Sequence, residues 1–318
     1  MNRPVVTLGE AMIRLSPSGR ASLEQSDLWE VYVGGAEANF AVALARLGMH
    51  VQWISKVTRN PLGKKIVGKI REHGVDVSKV IWTDEGRVGI FFAEPGPLPE
   101  SWMILYDRKG SAMSHVNPEE VDWESVRNAR LIHLTGITPA LSEGCLKVVE
   151  RAISEAREGG ALVSFDTNYR AKLWSAEEAL AILARLLQGV DLLIASLRDI
   201  QALFKGGEDG EVEARKLYSQ FRPRVVVVTL GEKGALAYDG ERVYQREAYP
   251  TQVIDRIGRG DAFDAGFVYG YLTGDIDKGL MYGNALAALA QTRPGDLCWF
   301  SQDEIHGLIQ GTFRRISR

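Results

Sequence analysis

The sequence predicts an α/β protein: a doubly wound, mainly parallel sheet with helices on both faces, plus a small β-sheet lid. Three observations carry this expectation. Short apolar runs of strand length recur along the chain, separated by segments with the three- and four-residue periodicity of amphipathic helices. Two stretches break that alternation and run strand to strand with no helix between them. The chain has 318 residues, 45% hydrophobic and 25% charged, enough to bury one large core or to split into a core plus a small appendage.

The apolar runs at 5–9, 51–57, 131–135, 162–166, 191–196 and 225–230 are nearly continuous, the mark of strands buried on both faces. Between them lie helical patterns such as 142–158, where Leu146, Val149, Ile153 and Ala156 share one face. The exceptions are 11–33, alternating around Ile13, Leu15, Trp29, Val31 and Val33, and 88–106, with Ile90, Phe91, Phe92, Met103, Ile104 and Leu105 around a Pro/Gly turn. Lacking crossover helices, these hairpins are expected to pair with each other as a lid. The domain reading is therefore a main domain of 1–10, 36–86 and 114–318 and a lid of 11–35 and 87–113. The segment 238–246 around Asp239-Gly240 predicts a further hairpin at the edge of the main sheet. No internal repeat and no low-complexity segment is found.

Composition narrows the partners. A net charge of -3, a pI near 6.0 and dispersed Lys and Arg give no footprint for nucleic acid. No run reaches the ~20 apolar residues that span a bilayer, and the N-terminus has no secretory pattern. Cys145 and Cys298 form no CxxC pair, which fits a reducing compartment. The expectation is a cytoplasmic enzyme acting on a small molecule, with no membrane partner. Apolar lid strands would leave one face uncovered, which predicts a homodimer or higher homo-oligomer through the lid. The five histidines show no metal-ligand spacing and the tryptophans are scattered, so both read as structural.

Chemistry concentrates in Asp255-Arg256-Ile257-Gly258-Arg259-Gly260-Asp261-Ala262-Phe263-Asp264-Ala265-Gly266. Close-set glycines running into a helical pattern at 262–272 bring free backbone N–H groups and a helix dipole to one point, which suits a phosphate. Phosphoryl transfer needs such charge neutralisation, and also a carboxylate to take the proton of the attacking hydroxyl. The segment alone equally fits Asp261 as an ordinary helix N-cap. A second glycine pair, Gly34-Gly35-Ala36-Glu37-Ala38-Asn39, precedes a helix expected at 39–47; it suits close backbone approach to a ligand and a hydroxyl contact from Asn39, or a plain turn. The third segment, Thr229-Leu230-Gly231-Glu232-Lys233-Gly234, puts glycines at the C-terminal end of a strand, where ligands bind in open α/β sheets, although a hairpin turn explains it as well.

Together these segments resemble the ribokinase-like (PfkB) carbohydrate kinases over nearly the whole chain. Gly34-Gly35 with Asn39, Ala41 and Leu47-Gly48 is similar to that family's first signature, and 255–267 to its second. The resemblance implies a ribokinase-like fold, ATP and Mg²⁺ as cosubstrate and cofactor, and a monovalent cation as a further candidate. It implies an anion hole from the backbone of Gly258, Arg259, Gly260 and Asp261, with Asp261 as base. The nucleotide would meet Ser196, Thr229, Gly231, Lys233, Gly234, Gly258, Gly260 and Asn284. Two departures stand out: Arg256 and Arg259 replace the usual small residues or proline, and Ser196-Leu197-Arg198-Asp199 replaces Asn-x-x-Glu, leaving Asp199 to hold the metal through water.

Within the family, Val31-Tyr32-Val33-Gly34-Gly35-Ala36-Glu37, Tyr106-Asp107-Arg108-Lys109-Gly110-Ser111-Ala112, Gly136-Ile137-Thr138-Pro139-Ala140-Leu141 and Asp166-Thr167-Asn168-Tyr169-Arg170 resemble 2-keto-3-deoxygluconate kinases. This implies a substrate site of Gly34, Gly35, Asn39, Tyr106, Arg108, Ile137, Arg170 and Asp296, with Phe91 where those kinases often carry tyrosine. The function expected is ATP-dependent phosphorylation of the terminal hydroxyl of a sugar acid, whose carboxylate suits the guanidinium groups of Arg108 and Arg170. The rivals are a fructokinase, ribokinase or nucleoside kinase on the same scaffold, and a sugar- or nucleotide-binding protein with little catalysis.

Overall fold

Runs that are apolar on both faces fold as the interior of one sheet. The computed structural model describes residues 3–19, 21–96 and 101–312. Its strands, in chain order, are β1 (Val5–Leu8), β2 (Met12–Pro17), β3 (Trp29–Gly34), β4 (Val51–Ile54), β5 (Lys56–Thr58), β6 (Ile81–Thr83) and β7 (Ile90–Pro95). They continue with β8 (Trp102–Asp107), β9 (Leu131–Thr135), β10 (Leu162–Asp166), β11 (Leu192–Ser196), β12 (Val225–Thr229), β13 (Ala235–Tyr238) and β14 (Val243–Arg246). The large sheet has the order β14-β13-β12-β11-β10-β9-β1-β4; β4 to β12 in that order run parallel, and β13 and β14 form an antiparallel edge hairpin.

Alternate residues of these strands feed two cores. Val5, Leu131, Leu192, Val225 and Val227 pack with the helices Ala36–Arg46, Arg259–Thr273 and Ile276–Ala290, whereas Val6, Ile132, Leu193, Val226 and Val228 pack with Glu143–Glu158 and Ala176–Leu186. This is the doubly wound, mainly parallel architecture the sequence predicts. The C-terminal ends of β1, β9, β10, β11 and β12 lie along one edge, where ligands bind in such sheets.

The two unusual stretches pair into one separate sheet of order β3-β2-β7-β8, with β2 and β7 parallel and both outer pairs antiparallel. The tip of the second hairpin, residues 97–100, lies outside the described residues. Register sorts the faces, because directly paired residues project to the same side. Met12, Arg14, Tyr32, Phe91, Ile104 and Tyr106 share one face, and Leu15, Val31, Phe92 and Leu105 share the other.

One expected strand is divided. The run 51–57 leaves the large sheet after Ile54, which pairs with Leu8, and the chain beyond pairs instead with β6 as a parallel two-stranded sheet. The carbonyl of Ser55 accepts from Ile81 N–H at 2.8 Å, so the backbone has already changed partners there. Two helices also start earlier than their patterns suggest, at Ala36 and Arg259, since each is entered directly from a glycine.

The small sheet is tied to the segments flanking the helices Arg259–Thr273 and Ile276–Ala290 at Arg14, an inward-facing residue of β2 that is only 1% exposed. Its guanidinium pairs with Asp255 at 2.7 Å and Asp296 at 3.0 Å, donates to Ser16 Oγ at 2.9 Å, and lies 5.1 Å from the Tyr32 ring centroid and 5.3 Å from that of Trp102. Removing one partner of a buried ion pair strands the remaining charge. Arg14→Ala is therefore expected to lose about 3–5 kcal/mol of stability in urea unfolding. Arg14→Lys should recover only part, because one ammonium lacks the fork that spans both carboxylates.

Candidate active site

The turn before the helix Arg259–Thr273 is held from within. Asp255 accepts from Ile257 N–H and Gly295 N–H, each at 3.0 Å, and binds Arg14. Gly258 caps the helix with φ at 81°, and a Cβ there would stand 2.1 Å from the carbonyl oxygen of Asp296. Only glycine serves at this position, on grounds of both conformation and space. The first N–H to bond back into the helix is that of Ala262, to Gly258 O at 2.9 Å. The N–H groups of Gly260 and Asp261 precede it and point out of the positive end of the dipole. Asp261 is thus the third residue of the helix and not its N-cap, which removes the bland reading left open by the segment alone.

Successive residues of this turn face two cavities. Arg259 and Gly260 line one of about 450 Å³, together with Thr229, Gly231, Gly234 and Asn284. Gly258 and Asp261 line another of about 70 Å³, together with Asn39, Phe91, Tyr106 and Ile137. The inward face of the small sheet roofs the second cavity through Met12, Phe91, Ile104 and Tyr106. Arg256, beside the first, donates to Glu232 at 3.1 Å.

Asp261 is buried, and Asn39 Nδ2 donates to its Oδ2 at 2.7 Å while Asn39 Oδ1 accepts from Gly35 N–H at 3.3 Å. Its carboxyl is raised above the ordinary range by burial, against the pull of the Asn39 hydrogen bond, the Arg170 charge and the Asn168 hydrogen bond. Asn39 thus orients an acid while also lining the small cavity. The remaining charges in the small cavity are Glu10, Glu37, Asp296, Arg108 and Arg170. Burial pushes both Glu37 and Asp296 up to about 7, opposed in the first by the Thr138 and Thr135 hydroxyls and in the second by Arg14. Gly34 leaves room for Asp296, since a Cβ at Gly34 would lie 2.1 Å from its Oδ2, and Gly35 is pressed against the Glu10 carbonyl in the same way.

Of four further expected residues, three meet specific partners. Ser196 spends its hydroxyl capping the helix Leu197–Phe204, accepting from Asp199 N–H at 3.0 Å, and is not among the residues lining the large cavity. Lys233 lies exposed on the turn Gly231–Lys233 and is likewise not in that lining. Asn284 lines it but donates to the carbonyls of Arg246 and Glu247 at 3.0 and 3.1 Å. Asp199 accepts from Thr167 Oγ1 at 3.1 Å and Tyr169 N–H at 3.2 Å. Its charge, with that of Asp261, adds to burial in pushing Asp166 up to about 8.

Sequence reasoning missed Glu10, Arg14, Glu37, Asn168 and Asp264. Asn168 sits at φ 38°, an uncommon conformation for a residue with a side chain and a recurrent one at functional sites. For Glu10 and Glu37 a signal was present, since Glu10 directly follows the apolar run 5–9 and Glu37 lies inside the glycine segment 34–39. For Arg14 there was none, its partners being far along the chain.

Comparisons with known proteins agree with this geometry. A family model described as pfkB family carbohydrate kinase matches residues 2–298. The chain is 38% identical to the 2-dehydro-3-deoxygalactonokinase of Haloferax volcanii over 319 residues, covering 100% of each chain. A crystal structure of 2-dehydro-3-deoxygluconokinase from Thermotoga maritima matches with a TM-score of 0.92 at 33% identity, over 98% of this chain and 99% of that one. A candidate ribokinase II from E. coli, in complex with ATP and Mg²⁺, matches with a TM-score of 0.89 at 25% identity, over 97% and 99%.

Proposed function

The chain belongs to the pfkB family of carbohydrate kinases, and from that premise we propose that it transfers the γ-phosphoryl group of ATP to the terminal hydroxyl of a sugar acid, 2-keto-3-deoxygluconate or the related galactonate. The observation that carries this reading is the single helical turn that faces both cavities, with Gly260 toward the larger and Asp261 toward the smaller. A nucleotide in the first and a sugar acid in the second would meet across it.

Asp261 takes the proton of the attacking hydroxyl, held toward it by Asn39. The N–H groups of Gly260 and Asp261 stabilise charge on the transferring group, and Arg259 adds a guanidinium on the nucleotide side. Arg108 and Arg170 bind the substrate carboxylate, as planar guanidinium groups do. The kinases of sugar acids among the relatives support that substrate class. Mg²⁺ is usually held by one or two carboxylates with phosphates and waters, and Asp199 and Asp166 offer such donors; when bound, it neutralises phosphate charge. Cys145 and Cys298 are buried free thiols, which supports a reducing compartment such as the cytoplasm.

We also place a second copy of the chain on the outer face of the small sheet, where Trp29, Val31, Met103 and Leu105 are exposed together.

Side-by-side ADP-release assays should give a higher kcat/KM for the sugar acids than for fructose, ribose or nucleosides; preference for a neutral sugar or nucleoside would overturn the substrate class. Asp261→Asn should lower kcat by roughly 10²–10⁴-fold at a nearly unchanged Tm, and near-normal turnover would remove Asp261 as base. Because the acid must be ionised to accept a proton and burial raises its pKa, kcat/KM should fall with falling pH at a value above ~3.9. Arg170→Ala, which deletes a charge that lowers this pKa, should move that limb to still higher pH. Sedimentation should report a dimer that Leu105→Glu dissociates, against which a concentration-independent monomer mass of the native chain would count.

A further inference from the structure

Glu10 stands two residues beyond β1, at the C-terminal edge of the large sheet, and Arg108 stands one residue beyond β8 of the small one. Their side chains are 3% and 10% exposed and form an ion pair across the wall of the small cavity. Glu10 Oε2 accepts from Arg108 Nε at 2.8 Å and also from Nη2. The other oxygen, Oε1, is buried with no hydrogen-bond partner, in a space that Gly89 keeps open: a Cβ there would come within 3.1 Å of it.

Stability is a poor reason for such an arrangement. A buried pair with an unsatisfied oxygen gives back little of its desolvation cost, and apolar side chains of similar volume would serve the fold as well. Its geometry, however, divides the guanidinium in two. One oxygen of Glu10 takes the Nε side of the fork, and a guanidinium has five N–H groups, so both hydrogens of Nη1 and one of Nη2 remain for a second acceptor. A second carboxylate docking along Nη1 and Nη2 would find them already aimed.

We propose that Glu10 is a positioning residue for substrate selection: it grips Arg108 by its Nε side and presents the Nη1 and Nη2 side to the carboxylate of the sugar acid. The pair also ties the cation of the small sheet to the rigid end of a core strand, which reduces the ordering cost of binding. This inference rests on the sugar-acid reading above and deepens it.

The test compares KM and kcat for 2-keto-3-deoxygluconate and for its C1 amide, which keeps the sugar but lacks the charge. Glu10→Gln should raise KM for the acid roughly tenfold or more, leave kcat within about twofold, and leave KM for the amide nearly unchanged. In an Arg108→Gln background the same change should add nothing, since Glu10 acts through Arg108. Glu10→Asp, which keeps the charge and shortens the reach, should fall between, and it decides the matter should Glu10→Gln not fold. Equal effects on acid and amide would overturn the proposal as a mere packing loss. A lower KM for the acid in Glu10→Gln would overturn it too, identifying Glu10 as a competitor for Arg108. Absence of turnover of any sugar acid by the native enzyme would instead refute the substrate reading itself.

Discussion

A single buried guanidinium ties the small sheet to the two loops that frame the site. Arg14 reaches from the small sheet to Asp255 and Asp296, and each carboxylate then shapes a part of the site. Asp255 fixes the turn that ends in Gly258 by accepting from Ile257 and Gly295. Asp296 packs its carbonyl against Gly258 and its carboxylate against Gly34. The roof of the small cavity and the turn that faces both cavities are thereby one mechanical unit. An Arg suits this place better than a Lys, because its planar fork meets two carboxylates and stacks near two aromatic rings at once.

Burial is the common cause of the electrostatics around that unit. Asp261, Glu37, Asp296 and Asp166 are all raised, each with desolvation as the largest cause. Asp264, on the same helix as Asp261, is raised by burial and by the nearby Asp166 and Asp261 charges. A group meant to accept a proton near neutral pH gains from such a setting, because a base matched to the operating pH transfers protons best. The cost is held in check by hydrogen bonds: Asn39 on Asp261, and Thr135 and Thr138 on Glu37 at 2.8 and 2.6 Å.

The composition of the small cavity suits the proposed acid substrate better than a neutral sugar. Its walls carry several carboxylates, against which an anionic substrate would need the guanidinium groups of Arg108 and Arg170. Arg170 is exposed at the rim and also lowers the pKa of Asp261, so in the proposed mechanism the same guanidinium would act on both the substrate carboxylate and the acid. Arg108 is held against the core strand by Glu10.

Much of this was legible along the chain. The valine-rich run 225–230 and its counterparts announce buried strands because a strand covered on both faces has no polar side to show. The hairpins at 11–33 and 88–106 announce a second sheet because nothing between them crosses over. The glycines of 258–260 announce a helix start that tolerates a ligand, and the pair at 34 and 35 a close approach of backbones. All of these are local patterns, decided by the conformations that neighbouring residues permit. The ion pairs are different in kind. Arg14 and Asp296 are 282 positions apart, and Arg108 and Glu10 are 98 apart. Ser196 became a cap, Lys233 stayed at the surface, and Ser55 became the point where a strand changes sheets. Local sequence sets which segments are strands, helices and turns; which buried charge meets which is set only when those segments pack, because in water each arginine is equally well solvated beside any carboxylate or none.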